Sequence, residues 1–403
     1  MLENTSPKIL YLLGFFLTLS LHPVWSQNDF QKKLQTQLIM AENGAKIQIP
    51  AGTYQLNRSL SLENKENVII EGAGMGKTIL SFKNQVDGAE GLRINSGKNI
   101  TIQNLSIEDA KGDCIKAQHI KGMSFKNVKV AWTGKPNKNN GAYGLYPVSC
   151  ENVLIESCEA VGASDAGIYV GQSRNIVVRN CKAYKNVAGI EIENSIGADV
   201  YQNEAYDNTG GILVFDLPDL EVKKGGQVRV YNNLIKENNR PNFAPKGNIV
   251  AGVPQGTGLM ILATSDVEVF NNKIIDNITS NTSIISYFMT DNPIQDSAYY
   301  PFPDRIYIHD NEYHRQPVKP TSQGRIGELY RSTLKFGKDV PDIVWDGIID
   351  PSSLDENGRH KNNYRICIRN NGNATFANLD AGNNFKQVRR DLKAMDCQRD
   401  KLK

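Results

Sequence analysis

A phrase of the form Gly–Ile–x–Val returns at a near-constant interval through the middle of the chain, and no other feature restricts the possible folds as strongly. Leu145 to Ile168 is 23 residues, Ile168 to Ile190 is 22, and Ile190 to Ile212 is 22. Self-similarity at such a period marks a solenoid or an array. Each period holds short alternating apolar runs broken by Asn, Gly or Asp, so its units are strands and turns rather than helices.

A second column runs beside the first. Asn175-Ile-Val-Val-Arg-Asn-Cys181 has relatives ending at Leu105, Val128, Cys158, Asn203, Asn233, Asn272 and Asn311. A lone Asn is a turn residue. A file of them fits stacked coils in which each amide bonds to the next, about 4.8 Å away. This pattern resembles the right-handed parallel β-helix repeat proteins of the pectate-lyase-like superfamily, over roughly residues 46–311. The fold it implies is all-β: a right-handed parallel β-helix, with residues 27–45 as an N-terminal helical cap and 312–403 as a C-terminal covering segment.

The first 26 residues read as a signal peptide. Lys8 precedes a 13-residue apolar run, 9–21, and Val24-Trp25-Ser26 before Gln27 supplies small residues at the cleavage positions. Thirteen residues are too few to span a bilayer. A secreted or periplasmic protein without stable membrane insertion is expected. A net charge of +3, with charges interspersed, leaves no basic stripe for nucleic acid.

Of the six cysteines, Cys158 and Cys181 stand in the ladder column and read as buried fillers. Cys367 and Cys397 are candidates for a disulfide tying down the tail in an oxidising compartment. Residues 28–44 read as an amphipathic helix with Phe30, Leu34, Leu38 and Ala41 on one face, laid over the open end of the solenoid. Gly74-Met-Gly-Lys-Thr78 looks like a phosphate-binding loop but lacks the earlier glycine and the following helix, so it reads as a turn. Two insertions, 133–142 and 236–256, interrupt the coils and are candidate walls of a site. In the irregular stretch 291–304, Tyr299 to Phe302 are expected to pack back onto the coils.

Outward side chains of successive coils form columns on a sheet face. One column reads Arg93, Lys116, Tyr146, Tyr169, Glu191, Leu213, Met260, Ile285; the next reads Asn95, Gln118, Val148, Gly171, Glu193, Phe215, Leu262, Tyr287. Lys116 to Glu191 would span roughly 14 Å at ordinary strand spacing. Lys, Tyr and acidic groups in one file suit abstraction and return of a proton. Lys116 or Tyr146 is the candidate base, if neighbouring charge depresses its pKa, and Tyr169 the candidate acid. Glu191 would orient the base or bind Ca²⁺, and Arg93 would neutralise a substrate carboxylate. Gln118, Asp165, Asp216, Arg240 and Phe243 are candidate substrate contacts. The same residues also read as ordinary half-exposed strand positions.

β-Helix polysaccharide lyases and uronan epimerases are similar in outline, and the resemblance carries over a substrate class only. The expected function is action on an acidic, uronate-containing polysaccharide by β-elimination or C5 epimerisation. The alternatives are a non-catalytic glycan- or protein-binding module and, third, a glycoside hydrolase built on Glu191 with Asp165 or Asp216. A monomer requiring no cofactor is expected, with Ca²⁺ the one candidate ion. An enzyme should carry a cleft bounded by 236–256 over the polar half of the column.

Overall fold

The structure, a computed structural model, describes Met1, residues 27–358 and residues 360–402. The leader expected over 1–26 lies, but for Met1, outside the described residues. The described chain winds as a right-handed parallel β-helix of 28 strands. Each coil contributes to three sheets. The first contains Tyr143–Val148, Ala166–Gly171, Ala188–Glu193, Gly210–Phe215, Thr257–Leu262 and Ser280–Ile285. The second contains Arg174–Arg179 and its equivalents, and the third the three-residue strands such as Lys182–Tyr184.

The repeat phrase sets the register. Leu145, Ile168, Ile190, Ile212 and Leu259 pair rung to rung and are fully buried. Burying such a side chain contributes roughly 1.5–3 kcal/mol, and every coil repeats it. The turns are held by side-chain amides. Asn203 donates to Asn233, Asn233 to Asn272, Asn272 to Asn311 and Asn311 to Asn371, each at 2.9–3.0 Å. Cys158 and Cys181 continue that file towards the N-terminus, where the Cys181 amide donates to Asn203 Oδ1. A second file, not foreseen from the sequence, runs Asn186, Asn208, Asn238, Asn277, Asn281. Both files satisfy backbone groups in turns that water does not reach.

The N-terminal helix α1, Gln27–Met40, is shorter than the expected 28–44. Leu34 and Leu38 enter the core, and Phe30 stacks on Tyr54 with ring centroids 3.7 Å apart. Two glutamines imitate a neighbouring strand. Gln31 accepts from Asn57 N and donates to Arg58 O, while Gln35 accepts from Ser61 N and donates to Ser61 O. The first open strand edge is thereby paired. Gly74–Thr78 is a turn, with the Lys77 and Thr78 amides donating to Gly74 O.

The stack does not stop at residue 311. Strands Glu312–His314, Ile343–Trp345, Cys367–Arg369 and Phe376–Asn378 all pair in parallel with the preceding rungs. They are three residues each, too short for a repeat to show. Cys367 and Cys397 are joined by a disulfide, and the other four cysteines are free and buried. Met395 packs on the inner core at the C-terminal end, and residues 324–336 lie instead against the outward face of the first sheet.

Candidate functional site

The first sheet is buried on both faces over Ala166–Gly171, Ala188–Glu193 and Gly210–Phe215, where a half-exposed outward face was expected. The reason lies in the columns. Outward Leu213, Phe215, Met260 and Leu262 form an apolar surface that must be covered, and Val250, Val253, Met289, Tyr299, Ile326 and Tyr330 cover it. Tyr299 packs back onto the coil as foreseen, its hydroxyl donating to Asp216 O at 2.5 Å.

The column register holds from Arg93 through Lys116 and Tyr146, and from Tyr169 through Glu191 and Leu213 to Met260. It fails at the last position. Ser283, not Ile285, pairs with Met260, while Ile285 pairs with Leu262, which removes Tyr287 from the second column. Ser280–Ile285 opens on Ser-Asn-Thr-Ser rather than the repeat phrase, which left nothing to anchor it.

Under the cover lies a cluster of carboxyl groups. Exposures are 1% for Glu191 and Asp216, 4% for Asp165 and 7% for Glu193. Asp113 stands half-buried at the edge, accepting from the Tyr143 amide at 3.1 Å. Burial pushes Asp113 up to about 6, against the Tyr143 amide and Lys116. It pushes Asp165 up to about 7 against the bond from Asn248, with Glu193 and Asp113 adding their charge. Glu193 rises to about 7 by burial, opposed by the Tyr169 hydroxyl. Asp216 rises to about 8 by burial, opposed by the Gly225 amide. Burial and the neighbouring Glu193 and Asp165 hold Glu191 well above the ordinary carboxylate range, and neither of its oxygens has a hydrogen-bond partner.

The tyrosines frame the cluster. Tyr143, Tyr146 and Tyr169 contact one another with centroids 4.4–5.0 Å apart. Tyr169 Oη donates to Glu193 Oε1 at 2.6 Å. Asn248, from the 236–256 insertion, donates to Asp165 Oδ2 at 2.9 Å. Lys116 Nζ lies 5.0 Å from the Tyr146 ring centroid. Burial and the carboxyl field push Tyr146 up to about 12 and raise Tyr143 and Tyr169 as well. A phenol so placed stays protonated and donates; the base role expected of Tyr146 needed the opposite shift.

Of the sequence candidates, Lys116, Tyr146, Tyr169, Glu191, Asp165 and Asp216 gather here. Arg93 does not take part: it is exposed and paired with Glu63 at 2.7 Å, on the rung away from the cluster. Arg240 is committed to Asp207, its Nη2 at 2.7 Å from Oδ2. Gln118 is half-buried beside Asn95 and Val148, and Phe243 packs half-buried against the cover. A desolvated Glu191 whose ionised form is disfavoured is a poor ligand for a hard cation. Among the described residues no group of three or more His, Cys, Asp or Glu side chains is arranged to hold a metal ion. Asp113, Tyr143, Glu193 and Asn248 were not singled out. Glu193 had a signal, since two outward carboxyls on one strand, Glu191 and Glu193, face an otherwise apolar surface.

The expected cleft is displaced. A cavity of ≈ 240 Å³ is bounded by residues 247–253 but floored by Phe215, Met260, Leu262 and Ile285, the apolar half of the columns. It adjoins the carboxyl cluster through Asn248, which lines the cavity and bonds Asp165.

Similarities to known proteins are consistent with the winding. A family model described as right handed beta helix region matches residues 137–297. The preneck appendage protein of Bacillus phage PZA is 23% identical over 292 residues, covering 61% of this chain and 33% of that protein. The pre-neck appendage protein of Bacillus phage phi29 gives the same figures. The chain thus spans 33% of the length of these curated relatives. Among solved structures, the A-module of the Azotobacter vinelandii mannuronan C-5 epimerase AlgE4 superposes with a TM-score of 0.50 at 16% identity, covering 79% of this chain and 87% of that one. At that identity the likeness is one of fold. With its 28 parallel strands and with the family model matching its central coils, the chain has the right-handed parallel β-helix fold.

Proposed function

We propose that this protein acts on a polysaccharide by acid–base cleavage of a glycosidic bond at the Asp165–Glu193 end of the first sheet. The observation that carries the reading is the pair of buried carboxyls poised at about 7, each held by one donor, Asn248 for Asp165 and Tyr169 for Glu193. A group half-protonated at neutral pH can give or take a proton there. Asp165, raised further by Glu193 and Asp113, is the acid and passes its proton to the departing glycosidic oxygen. Glu193, whose ionised form Tyr169 favours, takes a proton from the attacking water. The water hydroxyl joins the anomeric carbon as its bond to that oxygen breaks. Tyr143 and Tyr146, half-buried at the rim, offer aromatic surface to a sugar ring.

Elimination or epimerisation beside a uronate carboxylate is less well supported. Such chemistry needs a cation on that carboxylate, and Arg93 and Arg240 are tied to Glu63 and Asp207. Lys116 is the remaining basic candidate, and it lies over the Tyr146 ring with its charge acting on Asp113. Export, which the leader implies, would suit the Cys367–Cys397 disulfide, since such bonds persist in oxidising compartments. A second reading, a non-catalytic glycan-binding module, is favoured by the likeness to phage appendage proteins and by the deep burial of Glu191 and Asp216.

The test is to incubate the purified chain with neutral and acidic polysaccharides and to follow both reducing ends and unsaturated product. The proposal expects reducing ends without unsaturation, reduced roughly a hundredfold or more in Asp165→Asn and Glu193→Gln. Unsaturated product would establish the lyase instead. Binding without either product would establish the module.

A further inference from the structure

The ≈ 240 Å³ cavity beneath the 236–256 insertion has no role in the proton chemistry, yet it continues the same columns. Glu193 pairs with Phe215, Phe215 with Leu262, and Leu262 with Ile285. The floor therefore begins one rung, about 4.8 Å, from a carboxyl group. A pocket adjoining shifted ionisable groups, mostly apolar with a few polar groups, is where a ligand is expected to sit.

Several polar groups at the rim of the cavity are engaged within the protein. Asn248 Nδ2 donates to Asp165. Thr290 Oγ1 donates to Tyr287 O and accepts from Asn292 N. Arg325 is ion-paired with the Asp291 carboxylate. The floor and the wall beside it are apolar: Phe215, Met260, Leu262, Ile285, Met289 and Ile326. A hydroxyl turned onto that apolar floor would lose its water partners without replacement, at roughly 1–3 kcal/mol. A methyl or acyl group would lose nothing and would bury apolar surface. Two methionines let the wall adapt to its guest.

We infer that this cavity is a sugar subsite selective for a residue bearing an apolar substituent, a deoxy methyl or an O-acyl group, in place of a free hydroxyl. The inference rests on the glycan reading given above, and its test reads binding rather than turnover. The full chain carries ¹³C-methyl methionine and is titrated with matched methyl glycosides. The pairs are L-fucose against L-galactose, L-rhamnose against L-mannose, and 6-O-acetyl-D-galactose against D-galactose. The Met260 and Met289 resonances, the latter assigned with Met289→Leu, should shift, while that of Met123 in the inner core should not. The substituted member of at least one pair should bind about tenfold tighter than its hydroxylated partner, the discrimination one group in an apolar pocket supplies. Which pair responds separates methyl from acyl recognition.

Equal affinities within every pair, no binding by any sugar, or shifts that spare Met260 and Met289 would overturn the inference. Selective binding by a chain that cleaves nothing would leave the subsite standing and remove the hydrolase. Cleavage without selectivity would do the reverse.

Discussion

Replacing Glu193 by glutamine removes one ionisable group while keeping its shape, with an oxygen still placed to accept from Tyr169 Oη at 2.6 Å. Burial lifts the wild-type carboxyl from 4.5 to about 7, so the folded chain holds this proton more tightly than the unfolded chain. The stability that follows is fully present below about 4.5 and is lost as the pH rises through about 7. The interval, 7 − 4.5 = 2.5, at roughly 1.4 kcal/mol per pH unit, comes to about 3 kcal/mol. Glutamine has no such loss. Urea unfolding of both proteins between about pH 4 and pH 8 should give matching stabilities at the acid end. At the alkaline end the variant should be more stable by about 3 kcal/mol. Parallel curves, or a variant weaker than wild type at pH 8, would refute the claim that Glu193 is a buried, proton-holding group.

Tyr169→Phe removes the hydroxyl that favours the ionised form of Glu193, so the acid limb of the pH–rate profile should move to higher pH. Asn233→Ala breaks a file in which Asn233 accepts from Asn203 and donates to Val200 O and Asn272; leaving buried partners unpaired should cost on the order of 3 kcal/mol in thermal or urea unfolding. Cys397→Ser opens a loop closed at a separation of 30 residues. On the chain-entropy account this costs roughly 3.5 kcal/mol. Amide exchange should then quicken around Leu402, whose backbone bonds Arg229 and Glu268.

The winding was legible because identical side chains do identical work in every coil. Ile168, Ile190 and Ile212 fill one inward file, and Asn203, Asn233 and Asn272 one turn, so physics wrote the period into the sequence. The second amide file carried its own signal: Asn208, Asn238 and Asn277 each stand five residues after a member of the first. Strands such as Ile343–Trp345 and Phe376–Asn378 are set by contact with the rung below, which a local pattern does not encode.

The site was half legible. Repeat spacing placed Lys116, Tyr146, Tyr169 and Glu191 in file. Their environment came from elsewhere in the chain. Asn248 reaches Asp165 across 83 residues, and Ile326, Leu329, Tyr330 and Phe336 join the apolar cluster on the same face. A pKa depends on burial and neighbouring charge more than on the strand, so the surroundings of Tyr146 oppose the base role that its place in the column suggests. The Leu213–Met260 turn of the column from polar to apolar was the available sign that this face is covered.

Carboxyl ¹³C NMR of Asp- and Glu-labelled protein, with Asp165 and Glu193 assigned through Asp165→Asn and Glu193→Gln, tests the proton-poised pair most directly. Both resonances should titrate near about 7. Titration of both near about 4, as for exposed carboxylates, would contradict it.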